Sequence, residues 1–110
     1  IRRSEPLDAG PVTAGQLRLD PEQRTLQFGV APQIRLTPLE LKAMQLLMVT
    51  PGRTVTAEKM LLHLWGRATA RERRTLKQLV YRLRQKIETD ASSPDILQTT
   101  PGAGYKLVAD

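Results

Sequence analysis

Apolar residues along the chain change their period at residue 37. Before it they recur at every second position. Leu17 and Leu19 alternate with Gln16, Arg18 and Asp20, Leu26, Phe28 and Val30 share one side of 25–30, and Ile34 and Leu36 share one side of 33–36. Period two, broken at Pro21, Gly29 and Pro32, predicts three short strands in an antiparallel sheet with one buried face. After it, Leu41, Met44, Leu47 and Met48 recur at helical spacing. Thr37 stands as the N-cap of that helix, Pro38 at its first position, and Glu40 completes a capping box. Pro51-Gly52 ends it. A second helix starts after Thr56, carries Met60, Leu61, Leu64 and Trp65 as its apolar side, and stops at Gly66.

Gly66 to Arg73 reads as a polar loop, and a third helix runs from about Arg74 to Ile87. At ~100° per residue, Leu76, Leu79, Val80, Leu83 and Ile87 fall within an arc of roughly 100°. Two final strands, 96–99 and 105–108, flank a hairpin loop with glycines at 102 and 104. The fold class is therefore α+β: an N-terminal antiparallel sheet, three helices and a C-terminal β-hairpin. Three helices and a hairpin describe a winged helix-turn-helix, in which the third helix enters the major groove and the hairpin is the wing.

With 110 residues the chain fits one domain. Residues 1–15 contain Pro6, Gly10, Pro11 and Gly15, show no periodicity, and read as an interdomain linker. Residues 16–110 form the domain. The first residue is Ile1 rather than Met, which suggests a piece of a longer protein. There are no cysteines, so disulfides, thiolate metal sites and thiol catalysis are excluded. No apolar run approaches membrane length, and no membrane partner is expected.

Charge narrows the picture further. The chain carries +6, but the segment from Arg67 to Lys86 alone holds eight basic residues against Glu72, or +7, leaving −1 for all the rest. One basic element on a nearly neutral body is the footprint of a polyanion partner, here double-stranded DNA. The third helix offers Arg74, Thr75, Lys77, Gln78, Tyr81, Arg82 and Gln85 on the side opposite its apolar arc. Arg82 has the fork to hold a guanine and Gln78 the amide to hold an adenine. Arg67, Arg71 and Arg73 supply backbone contacts from the preceding loop, and Thr99, Thr100, Pro101, Gly102, Gly104, Tyr105 and Lys106 make up the wing. Arg84 and Lys86 lie on the margins, where their stems cover core edges. Trp65 ends an apolar stripe and reads as core, and His63 as a surface or helix-end histidine. Paired carboxylates, a metal-ligand cluster and a nucleophile–base set are missing from the sequence pattern, so neither an enzyme nor a cofactor is expected. A membrane-surface helix and a purely protein-binding winged helix remain as rival readings.

Five strings, in order, resemble the effector domain of OmpR/PhoB-type response regulators. Leu36-Thr37-Pro38-Leu39-Glu40 resembles its L-T-x-x-E helix opening, and Pro51-Gly52-Arg53-Thr54-Val55-Thr56 its P-G-x-x-V-S connection. Leu64-Trp65-Gly66 resembles V-W-G, Arg82-Leu83-Arg84-Gln85-Lys86-Ile87 resembles R-L-R-x-K-L, and Gly102-Ala103-Gly104-Tyr105-Lys106-Leu107 resembles G-x-G-Y-R/K-L. The resemblance covers about residues 15–108. It implies sequence-specific DNA binding in a cytoplasmic two-component system, a head-to-tail dimer on direct-repeat DNA, and contact of the Gly66–Arg73 loop with RNA polymerase. Ile1-Arg2-Arg3 is similar to the end of a receiver domain, which would make 1–15 the tail of that missing half. A winged-helix domain attached to a membrane sensor or a helical-repeat activator is the alternative. Three positions depart from the family: Lys77 stands where it places Asp, Leu79 where it places His, and Pro101 where it places the wing arginine.

Overall fold

The computed structural model describes residues 11–108. Its first layer is a four-stranded antiparallel sheet in chain order, β1 (Val12–Ala14), β2 (Leu17–Asp20), β3 (Thr25–Phe28) and β4 (Ile34–Arg35). The register sets Leu19 opposite Leu26 and Leu17 opposite Phe28, so the apolar positions of the period-two pattern meet on one buried face. Two expectations are corrected here. β1 occupies the end of the stretch read as linker, where three residues are too few to display a period, although Ala14 is buried. The rest of that stretch, residues 1–10, lies outside the described residues. Val30 is fully exposed rather than buried, because β3 stops at Phe28 and the Gly29 N–H turns back to the Gln16 carbonyl at 2.8 Å.

The helices are α1 (Pro38–Val49), α2 (Ala57–Trp65) and α3 (Ala70–Ile87). The Thr37 hydroxyl accepts from the Glu40 N–H at 3.2 Å, and the Glu40 carboxylate accepts from the Thr37 N–H at 2.8 Å. Thr56 caps α2 through the Lys59 N–H at 3.1 Å, and Gly66 closes it in a left-handed conformation. α3 begins four residues before the expected Arg74. The cause is a second Thr-x-x-Glu pair: Glu72 accepts from the Thr69 N–H at 3.1 Å and from the Thr69 hydroxyl. The polar loop therefore ends at Thr69, and Arg71 and Arg73 ride on the first turn of α3.

The second sheet joins β5 (Val55–Thr56), β6 (Leu97–Thr100) and β7 (Gly104–Leu107) in the order β5-β7-β6. The hairpin is tighter than expected: β6 is shifted one residue later and β7 one residue earlier, so the loop shrinks to 101–103. The Ala103 N–H reaches the Thr100 carbonyl at 3.0 Å, and Pro101 precedes Gly102 at φ +74°, the pattern of a type II turn. β5, two residues long, turns the expected hairpin into a sheet. It passes so close to β7 that a Cβ on Gly104 would lie 2.0 Å from the Val55 carbonyl oxygen. Met44, Leu47, Met60, Leu61, Leu83, Leu97 and Leu107 fill the space between helices and sheets, each buried.

One buried charge ties three elements together. Glu40 is 1% exposed, and the Lys86 ammonium sits 2.6 Å from its carboxylate and 3.1 Å from the Arg35 carbonyl. Lys86→Met strands that carboxylate. Complete burial of such a pair would make the loss ~3–5 kcal/mol. Lys86 keeps a third of its side chain in water, so about 2–3 kcal/mol is expected. At ~4–8 °C per kcal/mol, thermal unfolding should drop by about 8–24 °C. The glycines give a second test. Gly104→Ala meets backbone and should cost at least about 3 kcal/mol. Gly102→Ala meets nothing within 4 Å and should cost only its left-handed strain, about 1–2 kcal/mol. Melting curves of the two variants check the order.

Candidate nucleic-acid interface

α3 carries two opposed sides. Leu76, Leu79, Val80 and Leu83 are buried, which fixes the rotation of the helix. Arg74, Lys77, Gln78, Tyr81, Arg82 and Gln85 then project into solvent, with Arg71 on the same side one turn earlier. Tyr81 is 63% exposed, a large ring left bare among cationic and amide groups. Thr75 is half-buried, and its hydroxyl donates to the Arg71 carbonyl at 3.1 Å, within the helix itself.

Arg73 points to the flank of α3. It lines a cleft of about 280 Å³ together with Thr99, Thr100, Gly102 and Tyr105. The cleft brings the start of α3 and the wing side by side. Thr100 shares a hydrogen bond with Thr54 at 2.8 Å, and Thr99 accepts from the Arg84 guanidinium at 2.7 Å. Pro101 and Gly102 form the exposed tip, and Lys106 is half-buried. Gly104 is buried against β5, and its lack of a side chain permits that approach. Burial pushes the Tyr105 phenol up, partly offset by Arg84, and keeps it a neutral donor at physiological pH.

The eight basic residues of the charged segment divide into two groups. Lys86 is held by Glu40, and Arg84 donates to β6 at the Leu97 carbonyl, 2.9 Å, as well as to Thr99. Arg67, Arg71, Arg73, Arg74, Lys77 and Arg82 are exposed. Arg67 lies 3.9 Å from Glu72, whose carboxyl is held below the ordinary glutamate value chiefly by the Thr69 hydroxyl. His63 sits half-buried in the last turn of α2. Burial, then Lys42 and Lys59, lower its pKa, so it is neutral at physiological pH and adds nothing to the positive field. Trp65 is partly buried and packed on the core. Sequence reasoning missed Thr54, Glu88 and the partners of Arg84. The contacts of Thr54 and Arg84 join residues 13 to 46 positions apart, those of Glu88 bridge a turn to the next strand, and no periodic signal marks any of them.

Among the described residues no cluster of three His, Cys, Asp or Glu is placed to hold a metal ion, and no helix is long and apolar enough to cross a membrane. The family described as "Transcriptional regulatory protein, C terminal" matches residues 31–107. The sensory transduction protein RegX3 of Mycolicibacterium smegmatis is 36% identical over 100 residues, covering 91% of this chain and 43% of RegX3. The DNA-binding response regulator MtrA of the same organism is 33% identical over 107 residues, covering 96% and 46%. The chain thus spans a little under half the length of these relatives. Among solved structures, the RstA DNA-binding domain of Klebsiella pneumoniae, determined in complex with the RstA box, superposes with a TM-score of 0.78 at 22% identity over 91% of this chain and 98% of that one. The response regulator DrrB of Thermotoga maritima, an OmpR/PhoB homolog, superposes with a TM-score of 0.75 at 28% identity over 90% and 44%.

Proposed function

Because the chain belongs to the family of transcriptional regulatory protein C-terminal domains, with the winged-helix fold of the OmpR/PhoB type, we propose that it binds double-stranded DNA sequence-specifically. In this reading it is the effector half of a two-component response regulator, acts in the cytoplasm and performs no catalysis of its own. The observation that carries the reading is the bare side of α3: six polar and charged side chains aligned along one helix, with a wing beside them. Duplex DNA presents one negative charge per ~1.7 Å of axis, and neutralising phosphates releases counterions. Arg67, Arg71, Arg73 and Lys77 serve as phosphate partners. Gln78, Tyr81, Arg82 and Gln85 stand farther along the helix, where base edges are reached.

Lys77 supports the same direction. As the eighth residue of α3 it lies past the first turn, where the helix dipole no longer favours an acid, and its exposed ammonium is free to meet a phosphate. The Arg67–Thr69 segment between α2 and α3 is the surface offered to RNA polymerase, and two copies bind direct repeats head to tail. Titration of a direct-repeat duplex by analytical ultracentrifugation, with and without polymerase, tests both partnerships.

Salt and mutation separate the roles. With ~4–6 phosphates neutralised, log K should fall against log salt with a slope of about −4 to −5, measured by fluorescence anisotropy. A flat response sinks the electrostatic reading. Arg74→Ala should weaken all duplexes alike, whereas Arg82→Ala should cost ~1–3 kcal/mol and relax preference at one base pair. Equal, sequence-independent losses from both would reject the assignment.

Pro101 gives a third test. A proline at the wing tip has neither charge nor donor to exploit the negative potential of a narrow minor groove. Pro101→Arg should therefore tighten binding, most of all on sites with an A·T-rich flank, and Pro101→Ala should change affinity little. Competition between A·T-flanked and G·C-flanked duplexes reads the difference. No gain from Pro101→Arg on the A·T flank would show that this wing works by another contact.

A further inference from the structure

β6 is the outer strand of its sheet, and its outer edge is not left to solvent. The Ile96 carbonyl takes the Val108 N–H at 2.8 Å, so the N–H and C=O of Leu97 point away from β7. The last turn of α3 supplies partners for both. Arg84 donates its Nε to the Leu97 carbonyl at 2.9 Å and its Nη2 to the Thr99 hydroxyl at 2.7 Å. Glu88, the C-cap of α3, accepts from the N–H groups of Asp95 at 2.8 Å, Ile96 at 3.0 Å and Leu97 at 2.7 Å. Residues 84 and 88 are one helical turn apart and face the same way. One presents donors and the other acceptors, in the order that the strand edge requires.

We infer that Arg84 and Glu88 are positioning residues, a two-point clamp that fixes the wing on the recognition helix and so sets the spacing between the two sets of DNA contacts. The opposite side of the wing is held separately. The Ala57 N–H donates to the Ala103 carbonyl at 3.0 Å, and Thr54 bonds Thr100. That side fastens the wing to α2 and β5. Among the described residues, the hydrogen bonds that fasten it to α3 are those of the clamp, and α3 is the element whose bare side is proposed to read bases. With the clamp closed, a wing contact and a helix contact are made together or not at all. With it open, the wing keeps its fastening to α2 and β5 but can shift against α3, and each contact costs its own ordering entropy. The consequence for DNA rests on the reading proposed above. The mechanics rest on the hydrogen bonds alone.

NMR of the 110-residue chain without DNA tests the mechanics, and a hydroxyl-radical footprint on its duplex tests the consequence. In Glu88→Ala the backbone order parameters of residues 95–99 should fall from about 0.85 to below 0.6, while residues 74–83 stay rigid. The footprint should keep its major-groove protection and lose the protected flank, with affinity down about tenfold. Glu88→Gln keeps one carbonyl acceptor. It should hold affinity within about threefold while the Ile96 or Leu97 amide exchanges at least tenfold faster. A wing in Glu88→Ala as ordered and as oriented to α3 as in the parent overturns the clamp, and so does a retained flank. If Glu88→Ala does not fold, unchanged amide exchange in Glu88→Gln overturns it. A parent chain that binds no duplex would remove the DNA reading only, because the order parameters still decide whether the clamp exists.

Discussion

One helix must satisfy the core with one side and leave the other unpartnered. α3 buries Leu76, Leu79, Val80 and Leu83, and these positions dictate where every remaining side chain of the helix points. Rotation of α3 about its axis by one residue would turn Arg82 or Arg84 into the core and expose a leucine. The apolar fill from α1, α2 and both sheets therefore serves as the mounting for a surface whose own residues contribute nothing to the core. The margins of the helix are where the two sides meet, and they are secured by charge. Lys86 reaches back to the buried Glu40, while Arg84 and Glu88 reach across to β6. Long side chains suit that place, since their stems lie on apolar surface while their heads find polar partners.

The wing depends on the same logic at smaller scale. A two-stranded hairpin is marginal alone. Here β5 adds a third strand, and the absence of a side chain on Gly104 lets the backbones close to within contact. The tip turns through Pro101 and Gly102, a pair that sets its geometry before any ligand arrives. Stiffness of this kind lowers the entropy that must be given up on binding. It also explains how a tip without charge can remain useful: it places Thr99, Thr100 and Tyr105 beside Arg73 in one cleft.

Much of this architecture was legible because it is local. Alternation at Leu17, Leu19 and Leu26 marks a half-buried sheet, and Thr37-Pro38 with Glu40 marks a helix start to the residue. The bare side of α3 follows from spacing alone, since burying the Leu76–Leu83 positions exposes Arg74, Gln78, Tyr81 and Arg82 by geometry. Failures arose where local signals were short or in competition. β1 and β5 have three and two residues, below the length at which a period is visible. The start of α3 was hidden by Arg71, Arg73 and Arg74, a charge run that reads as loop, although Thr69 and Glu72 carried the capping box. Val30 fitted the alternation and was still wrong, because the turn at Gly29 is decided by the neighbouring strand. The pairings of Arg84, Lys86 and Glu88 are set by tertiary contact, and a one-dimensional pattern cannot hold them.

Those pairings change how the charge should be counted. Eight basic residues in one segment suggest a uniformly cationic helix, but two of them are consumed at the margins, one by a buried carboxylate and one by a strand edge. The six that remain in solvent are concentrated on the first turns of α3, the loop before it and the exposed arc, with the rest of the chain near neutrality. A field arranged in this way has a direction. At physiological ionic strength it is screened beyond ~8 Å, so it acts on a polyanion only when this side approaches first. On the proposed DNA reading, orientation is thereby selected before contact, and the amide and guanidinium groups of Gln78, Arg82 and Gln85 would arrive already facing the groove. Cations spread evenly over the domain would bind the same polymer in many poses and give these groups no preferred register.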